Sequence, residues 1–129
     1  MEEQTMPHLN IVVIEDDTDL RETMKDLLEI EGFSVLVAEN GMEGMKLIER
    51  SGKPCLILLD LMMPVMNGWE FLDAMQRDQQ AILAQTQVAV VTAAVEMADL
   101  QQRYGCSVLR KPVNVASLFA LAHAACDDC

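Results

Sequence analysis

Three short apolar runs, each followed by charged residues, constrain the fold of this chain most. Residues 11–14 precede Glu15 and Asp16, residues 55–59 precede Asp60, and residues 106–109 precede Arg110 and Lys111. Runs of this length rich in Val, Ile and Leu are typical of strands buried on both faces. Parallel strands bring their carboxyl ends to one edge of a sheet, where open α/β sheets bind ligands. We therefore expect three carboxylates and one ammonium group to meet at that edge.

Strand and helix patterns alternate along the whole sequence. The strands are predicted at residues 9–14, 34–38, 55–59, 88–91 and 108–109. Helices are predicted after each strand, beginning near Asp17, Asn40, Asn67, Val95 and Val115, and the polar segment 76–87 is predicted to be an extension or a short extra turn. Five parallel strands joined by helical crossovers predict an α/β, doubly wound parallel sheet with helices on both faces.

Length and charge narrow the class of protein. The 129 residues predict one domain over 1–129, with a core at about 9–125, a lead-in at 1–8 and no output domain. The net charge of −12 argues against direct binding to nucleic acid or to an anionic membrane and favours partners with basic patches. The start lacks a signal-peptide pattern and no apolar run approaches the ~20 residues of a membrane span, so we expect a cytoplasmic protein.

Five sequence elements in register resemble the receiver domains of two-component response regulators. They are Glu15-Asp16, Asp60, the Leu-Met-Met-Pro-Val-Met-Asn-Gly that follows it, Val91-Thr92-Ala93, and Lys111-Pro112. The resemblance runs from about residue 9 to about residue 125. It implies a flavodoxin-like fold of the receiver type and a phosphoacceptor role, and not an enzyme.

The resemblance also implies a role for each site residue. Asp60 would accept the phosphoryl group, and Mg²⁺ (or Mn²⁺) would be bound by four groups: Glu15, Asp16, Asp60 and the backbone carbonyl of Met62. Three further groups would bind the phosphoryl group or switch with it: Thr92, the Ala93 backbone and Lys111. Pro112 and Gly68 would be structural.

General chemistry supports this assignment. A carboxylate is a poor nucleophile toward an anionic phosphoryl donor, and a hard divalent cation removes the repulsion. Three carboxylates packed together should repel each other and raise their folded-state pKa values. The resemblance further implies that the Lys111–Pro112 peptide bond is cis.

The partners implied are a histidine kinase or a histidine phosphotransfer protein, which would donate the phosphoryl group in a two-component or phosphorelay pathway. A downstream protein target would be engaged through the helix after strand four, the fifth strand and the last helix. One position departs from the family, because Val108 stands where many receivers carry an aromatic switch residue. The usual coupling between Thr92 and a ring is therefore not expected.

Other functions remain as alternatives. A haloacid-dehalogenase-type phosphatase also uses a strand-end Asp and Mg²⁺, but it needs a second Asp two residues later, where this chain has Met62. A receiver-like interaction module that is not phosphorylated would be expected to lose an acid or the Lys, and both are present. A flavin-binding doubly wound domain would need a phosphate loop rich in Gly, Ser or Thr after strand one, and none follows it.

Overall fold

The computed structural model describes residues 11–93 and 105–126. Five strands lie in these ranges: β1 (Ile11–Ile14), β2 (Val35–Ala38), β3 (Leu56–Asp60), β4 (Gln87–Thr92) and β5 (Ser107–Arg110). The helices described are α1 (Thr18–Ile30), α2 (Gly41–Ser51), α3 (Gly68–Asp78), α4 (Gln80–Ala84) and α5 (Val115–Cys126).

The strands form one parallel sheet in the order β2-β1-β3-β4-β5. After β1 the chain crosses to β2 on one side of it, and then to β3 on its other side. This reversal of direction opens a crevice beyond the carboxyl ends of β1 and β3. Glu15 and Asp16 follow β1, and Asp60 is the last residue of β3, so the topology brings the predicted acids together.

Alternate residues of the central strands enter two separate apolar cores, one on each face of the sheet. Val12, Ile57 and Leu59 pack with residues of α2 and α3, and Val13 and Leu58 pack with residues of α1 and α5. All four residues of β1 are fully buried. Burial on both faces explains why the strands are continuous apolar runs, and it confirms the doubly wound parallel sheet predicted from the sequence.

Side-chain caps start three helices where the sequence predicts them. The side chains of Asp17, Asn40 and Asn67 accept hydrogen bonds from the backbone N–H groups of Leu20, Glu43 and Glu70. Such caps satisfy backbone donors that have no partner inside the helix. At α3 the cap is reciprocal, because the Glu70 side chain also accepts from the Asn67 N–H at 2.9 Å.

The structure refines several predicted boundaries. The segment 76–87 contains the end of α3 and a separate short helix, α4. β4 and β5 are each longer than predicted, because their terminal polar residues continue the ladder. The helix predicted from residue 95 to about 104 lies outside the described residues. In the part of the chain that is described, no helix is long and apolar enough to cross a membrane.

Candidate phosphoryl and metal site

The three predicted acids converge at the carboxyl edge of the sheet. Oxygen atoms of Glu15, Asp16 and Asp60 all lie within 4.8 Å of one another. Glu15 is 1% exposed and Asp60 is 3% exposed, whereas Asp16 is exposed. The cluster therefore has two carboxylates inside the protein and one facing solvent.

Lys111 completes this cluster from the end of β5. Its Nζ atom lies 3.2 Å from Glu15 Oε1 and 3.4 Å from Asp60 Oδ1. Its backbone N–H donates to the Thr92 carbonyl oxygen at 3.1 Å, which fixes the residue beside the end of β4. The Lys111–Pro112 peptide bond is cis, which confirms the prediction.

Burial dominates the electrostatics of Glu15. It raises the pKa of this carboxyl from 4.5 to about 7, and the negative charge of Asp60 adds to the increase. The hydrogen bond that Oε2 accepts from the Asp17 N–H, at 3.1 Å, opposes the increase in pKa. The predicted increase in the pKa of Glu15 is therefore confirmed, but the loss of solvation is a larger cause than the predicted repulsion between the acids.

The pKa values of Asp60 and Lys111 are also shifted. Burial raises the pKa of Asp60, against the attraction of Lys111 and the hydrogen bond from the Met62 N–H to Oδ1 at 3.3 Å. Burial lowers the pKa of Lys111, but attraction to Asp60 and Glu15 outweighs it, so the net pKa is raised. Lys111 is therefore a cation held against two buried acids.

The loop after β3 carries a strained backbone. The Met66 N–H donates to the Pro64 carbonyl at 2.7 Å, and Val65 between them has a φ of 68°. This hydrogen bond closes a γ-turn of the rare, strained type, and a β-branched residue disfavours such a φ. The Met66 carbonyl accepts from the Gly41 N–H at 2.9 Å, so the loop is tied to the start of α2.

Gly68 begins α3 in close contact with the end of β3. Its N–H donates to the Leu61 carbonyl at 3.0 Å, and a Cβ built on it would lie 2.6 Å from the Asp60 carbonyl oxygen. Any larger residue would push α3 away from the end of β3. Met62, two residues after Asp60, has a side chain that is 74% exposed, and its backbone N–H donates to Asp60 Oδ1 at 3.3 Å.

The predicted phosphoryl-sensing residues lie on the next strand of the sheet. Thr92 is the last residue of β4, is 2% exposed and pairs with Arg110 of β5. Ala93 follows it and is exposed. Val108 is partly buried against the core that contains α2 and α3.

The donor set fits a hard divalent cation. Carboxylate and carbonyl oxygens are the ligands that Mg²⁺ prefers, and Mg²⁺ keeps several waters. Within the described residues, Glu15 Oε1 is a buried oxygen that forms an ion pair with Lys111 at 3.2 Å but accepts no hydrogen bond. Such an oxygen beside an exposed acid, Asp16, fits a hydrated cation in the cluster.

Sequence reasoning missed one contact at this site. The Arg21 guanidinium donates to the Glu15 carbonyl oxygen at 2.9 Å and ties α1 to the end of β1. A basic residue one helical turn into α1 was the available signal for this contact. The meeting of Lys111 with the acids was predicted, but the sequence does not show that its amine lies closer to Glu15 than to Asp60.

Sequence comparison shows what this chain resembles. The family model of the response regulator receiver domain matches residues 11–123. The transcriptional regulatory protein CpxR of Escherichia coli (strain K12) is 36% identical over 115 residues, which cover 85% of this chain and 46% of CpxR. An uncharacterized 14.6 kDa protein of Leptolyngbya boryana is 33% identical over 127 residues, which cover 95% of this chain and 94% of that protein. The chain thus spans about half the length of CpxR.

Solved structures share the fold. A sensor protein from Polaromonas sp. JS666 superimposes with a TM-score of 0.80 at 25% identity, covering 95% of this chain and 98% of that one. The Vibrio cholerae chemotaxis protein CheY4 gives a TM-score of 0.79 at 22% identity, covering 92% and 98% of the two chains. At that identity the second likeness speaks for the fold alone.

Proposed function

This chain belongs to the response regulator receiver domain family, and from that premise we propose that it signals by accepting a phosphoryl group on Asp60. Domains of this family act in two-component signalling rather than as classical enzymes. One observation carries the proposal. The nearly buried Asp60 carboxylate ends a central strand beside two other acids within 4.8 Å and a lysine amine at 3.4 Å.

The reaction is a transfer between two nucleophiles. A carboxylate oxygen of Asp60 attacks the phosphorus of a phosphohistidine, and an O–P bond forms as the P–N bond breaks. The electron pair of the broken bond remains on the imidazole nitrogen of the donor, and the product is an acyl phosphate. When bound, Mg²⁺ would supply positive charge between the carboxylate and phosphoryl oxygens and lower their repulsion.

Residues of the chain would bind the cation and the phosphoryl group. Asp16, Asp60 and the Met62 carbonyl would hold the cation, with Glu15 acting directly or through a water. The Lys111 ammonium would pair with a phosphoryl oxygen, as cations do in phosphoryl-transfer sites. The Thr92 hydroxyl and the Ala93 N–H would donate to the other oxygens and report the phosphorylated state.

A groove beside the site suggests where the phosphohistidine protein approaches. It has a volume of about 470 Å³, and residues of α1 and α5 line it together with Lys111. Its lining includes the apolar side chains of Leu20, Met24 and Leu118 and the acidic residues Asp17 and Asp19. Apolar lining with acidic residues fits a partner helix that carries apolar and basic side chains.

The output would run through β5, α5 and the helix predicted after β4. β5 is an edge strand of the sheet, so a change at Thr92 can reach a surface through its pairing with Arg110.

The transcriptional role named for CpxR belongs to a protein about twice as long. The net charge of −12 disfavours nucleic acid as a partner of this domain. The cytoplasmic location expected from the sequence stays a prediction.

The test is phosphorylation by acetyl phosphate and by a phosphohistidine donor, with and without Mg²⁺. Wild type should be labelled only with Mg²⁺, and Asp60→Asn should lose the label. Asp26→Asn is the matched control, because Asp26 is exposed on α1. Equal labelling of wild type and Asp60→Asn would remove Asp60 from its role. No labelling of wild type by either donor would favour an interaction module instead.

A further inference from the structure

We propose that Glu15 is a positioning residue that holds the Lys111 amine in the site before any phosphoryl group arrives. The inference rests on the proposed function, because Lys111 matters there as the cation that meets the phosphoryl group. It adds a role for the first acid of the cluster that differs from metal binding.

Glu15 is fixed by its backbone and by one of its two carboxylate oxygens. Its N–H donates to the Ala38 carbonyl at 3.0 Å, and its own carbonyl accepts from Arg21 at 2.9 Å. Oε2 accepts from the Asp17 N–H at 3.1 Å. These contacts leave Oε1 as the carboxylate oxygen that faces Lys111.

The pairing with Lys111 is closer at Glu15 than at Asp60. Nζ lies 3.2 Å from Glu15 Oε1 and 3.4 Å from Asp60 Oδ1. Asp60 Oδ1 also accepts from the Met62 N–H at 3.3 Å, whereas in the described residues Oε1 accepts no hydrogen bond and has Lys111 as its ion-pair partner. Glu15 Oε1 is thus the acceptor that faces the amine without a competing hydrogen bond.

The length of the Glu side chain decides this contact. An Asp on the same backbone would end one C–C bond earlier, about 1.5 Å short. Its carboxylate would keep the charge and lose the close approach to Nζ. A lysine fixed in advance is already oriented when the phosphoryl group arrives, which is how a preorganised cation favours transfer.

The structure offers a matched pair for the test. Lys25 and Glu29 also approach within 3.1 Å, but on the exposed surface of α1. Amine labelling with acetic anhydride in chelator, read by mass spectrometry of each lysine peptide, compares the two pairs. In Glu15→Asp, Lys111 should be labelled roughly fivefold faster than in wild type. In Glu29→Asp, the Lys111 rate should not change.

Phosphorylation by acetyl phosphate separates this role from metal binding. If Glu15 positions Lys111, Glu15→Asp should react more slowly at saturating Mg²⁺, with an unchanged Mg²⁺ concentration for half-maximal rate. Glu15→Gln, which keeps the length, should lose less at saturating Mg²⁺. If Glu15→Asp instead needs more Mg²⁺ and its Lys111 is labelled at the wild-type rate, Glu15 is a metal ligand and the proposal is wrong.

The two proposals can fail independently. The labelling of Lys111 needs neither metal nor phosphoryl donor. A wild type that cannot be phosphorylated would contradict the proposed function. An unchanged Lys111 labelling rate in a folded Glu15→Asp would contradict the positioning role, and Glu15→Ala provides the same comparison if Glu15→Asp does not fold.

Discussion

The buried Glu15 carboxyl should make the metal-free protein less stable as the pH rises from about 4.5 to about 7. Its pKa is raised from 4.5 to about 7 in the folded protein, mainly by burial. Between these values the folded state holds a proton that the unfolded state has released, so raising the pH favours unfolding. Each tenfold change in proton affinity corresponds to about 1.4 kcal/mol. The ionised folded state at pH 8 is therefore penalised by about 3 kcal/mol.

Glu15→Gln removes the ionisation and keeps the side-chain length. We expect the variant to be more stable than wild type at pH 8 by up to about 3 kcal/mol, and equally stable near pH 4.5. The attraction of Lys111 is already included in the raised pKa of Glu15. Urea unfolding in chelator, followed by the fluorescence of the single tryptophan, Trp69, measures the difference at each pH. In thermal unfolding, 1 kcal/mol corresponds to about 4 °C in Tm.

Two comparisons test the effect of Glu15 on stability. Glu49→Gln is the matched control, because Glu49 is exposed on α2, and its stability should follow wild type at every pH. Asp60 also has a raised pKa and interacts with Glu15, so Glu15→Gln changes the titration of Asp60 as well. The difference in stability between Glu15→Gln and wild type therefore reports the two carboxyls together. If the difference in stability between Glu15→Gln and wild type stays constant with pH, or grows toward acid pH, burial of an ionised Glu15 is not the cause of the instability.

Three further predictions concern the loop, the helix start and the metal. Val65→Gly should stabilise the protein by about 1 kcal/mol, because glycine adopts a positive φ without strain. The strain relieved at a β-branched residue should exceed the cost of the extra chain entropy that glycine gives the unfolded state. A loss of stability in urea unfolding would contradict this. Gly68→Ala should destabilise by about 2 kcal/mol, because its Cβ would meet the Asp60 carbonyl at 2.6 Å; an unchanged urea midpoint would show that α3 shifts freely. Mg²⁺ at about 100 times its dissociation constant should stabilise wild type by about 2.7 kcal/mol, and calorimetry of Asp16→Ala should show most of this gain lost.

The sequence could predict the sheet and the position of the site because both depend on short-range patterns. Apolar runs marked the strands, and Asp17, Asn40 and Asn67 marked the helix starts through cap chemistry that acts over three residues. The end of α3 has no such local mark. α4 begins after Gln79, whose side chain forms no capping hydrogen bond. The sequence therefore could not distinguish two helices with a break between them from one longer helix.

The strained turn at Val65 could not be predicted for the opposite reason. Local preference argues against a positive φ at a valine. The turn is fixed by contacts between segments distant in sequence, above all the hydrogen bond from Gly41 to the Met66 carbonyl. The sequence predicts that Lys111 meets the acids, but the closer approach of its amine to Glu15 than to Asp60 depends on two side-chain conformations at the ends of strands that are not neighbours.

The sequence predicted repulsion between the acids but not the larger effect of burial on their pKa values, because a sequence shows charge but not depth. The Glu15 N–H still bonds to Ala38, so the residue continues the sheet beyond the end of β1, and its side chain stays inside. Asp60 belongs to β3 and is buried with it, whereas Asp16 has left the sheet and is exposed. Three acids that look alike in sequence therefore separate into two desolvated carboxylates and one in water. A cation that keeps several waters suits this asymmetry, because it could enter from the Asp16 side while the buried pair offsets its charge.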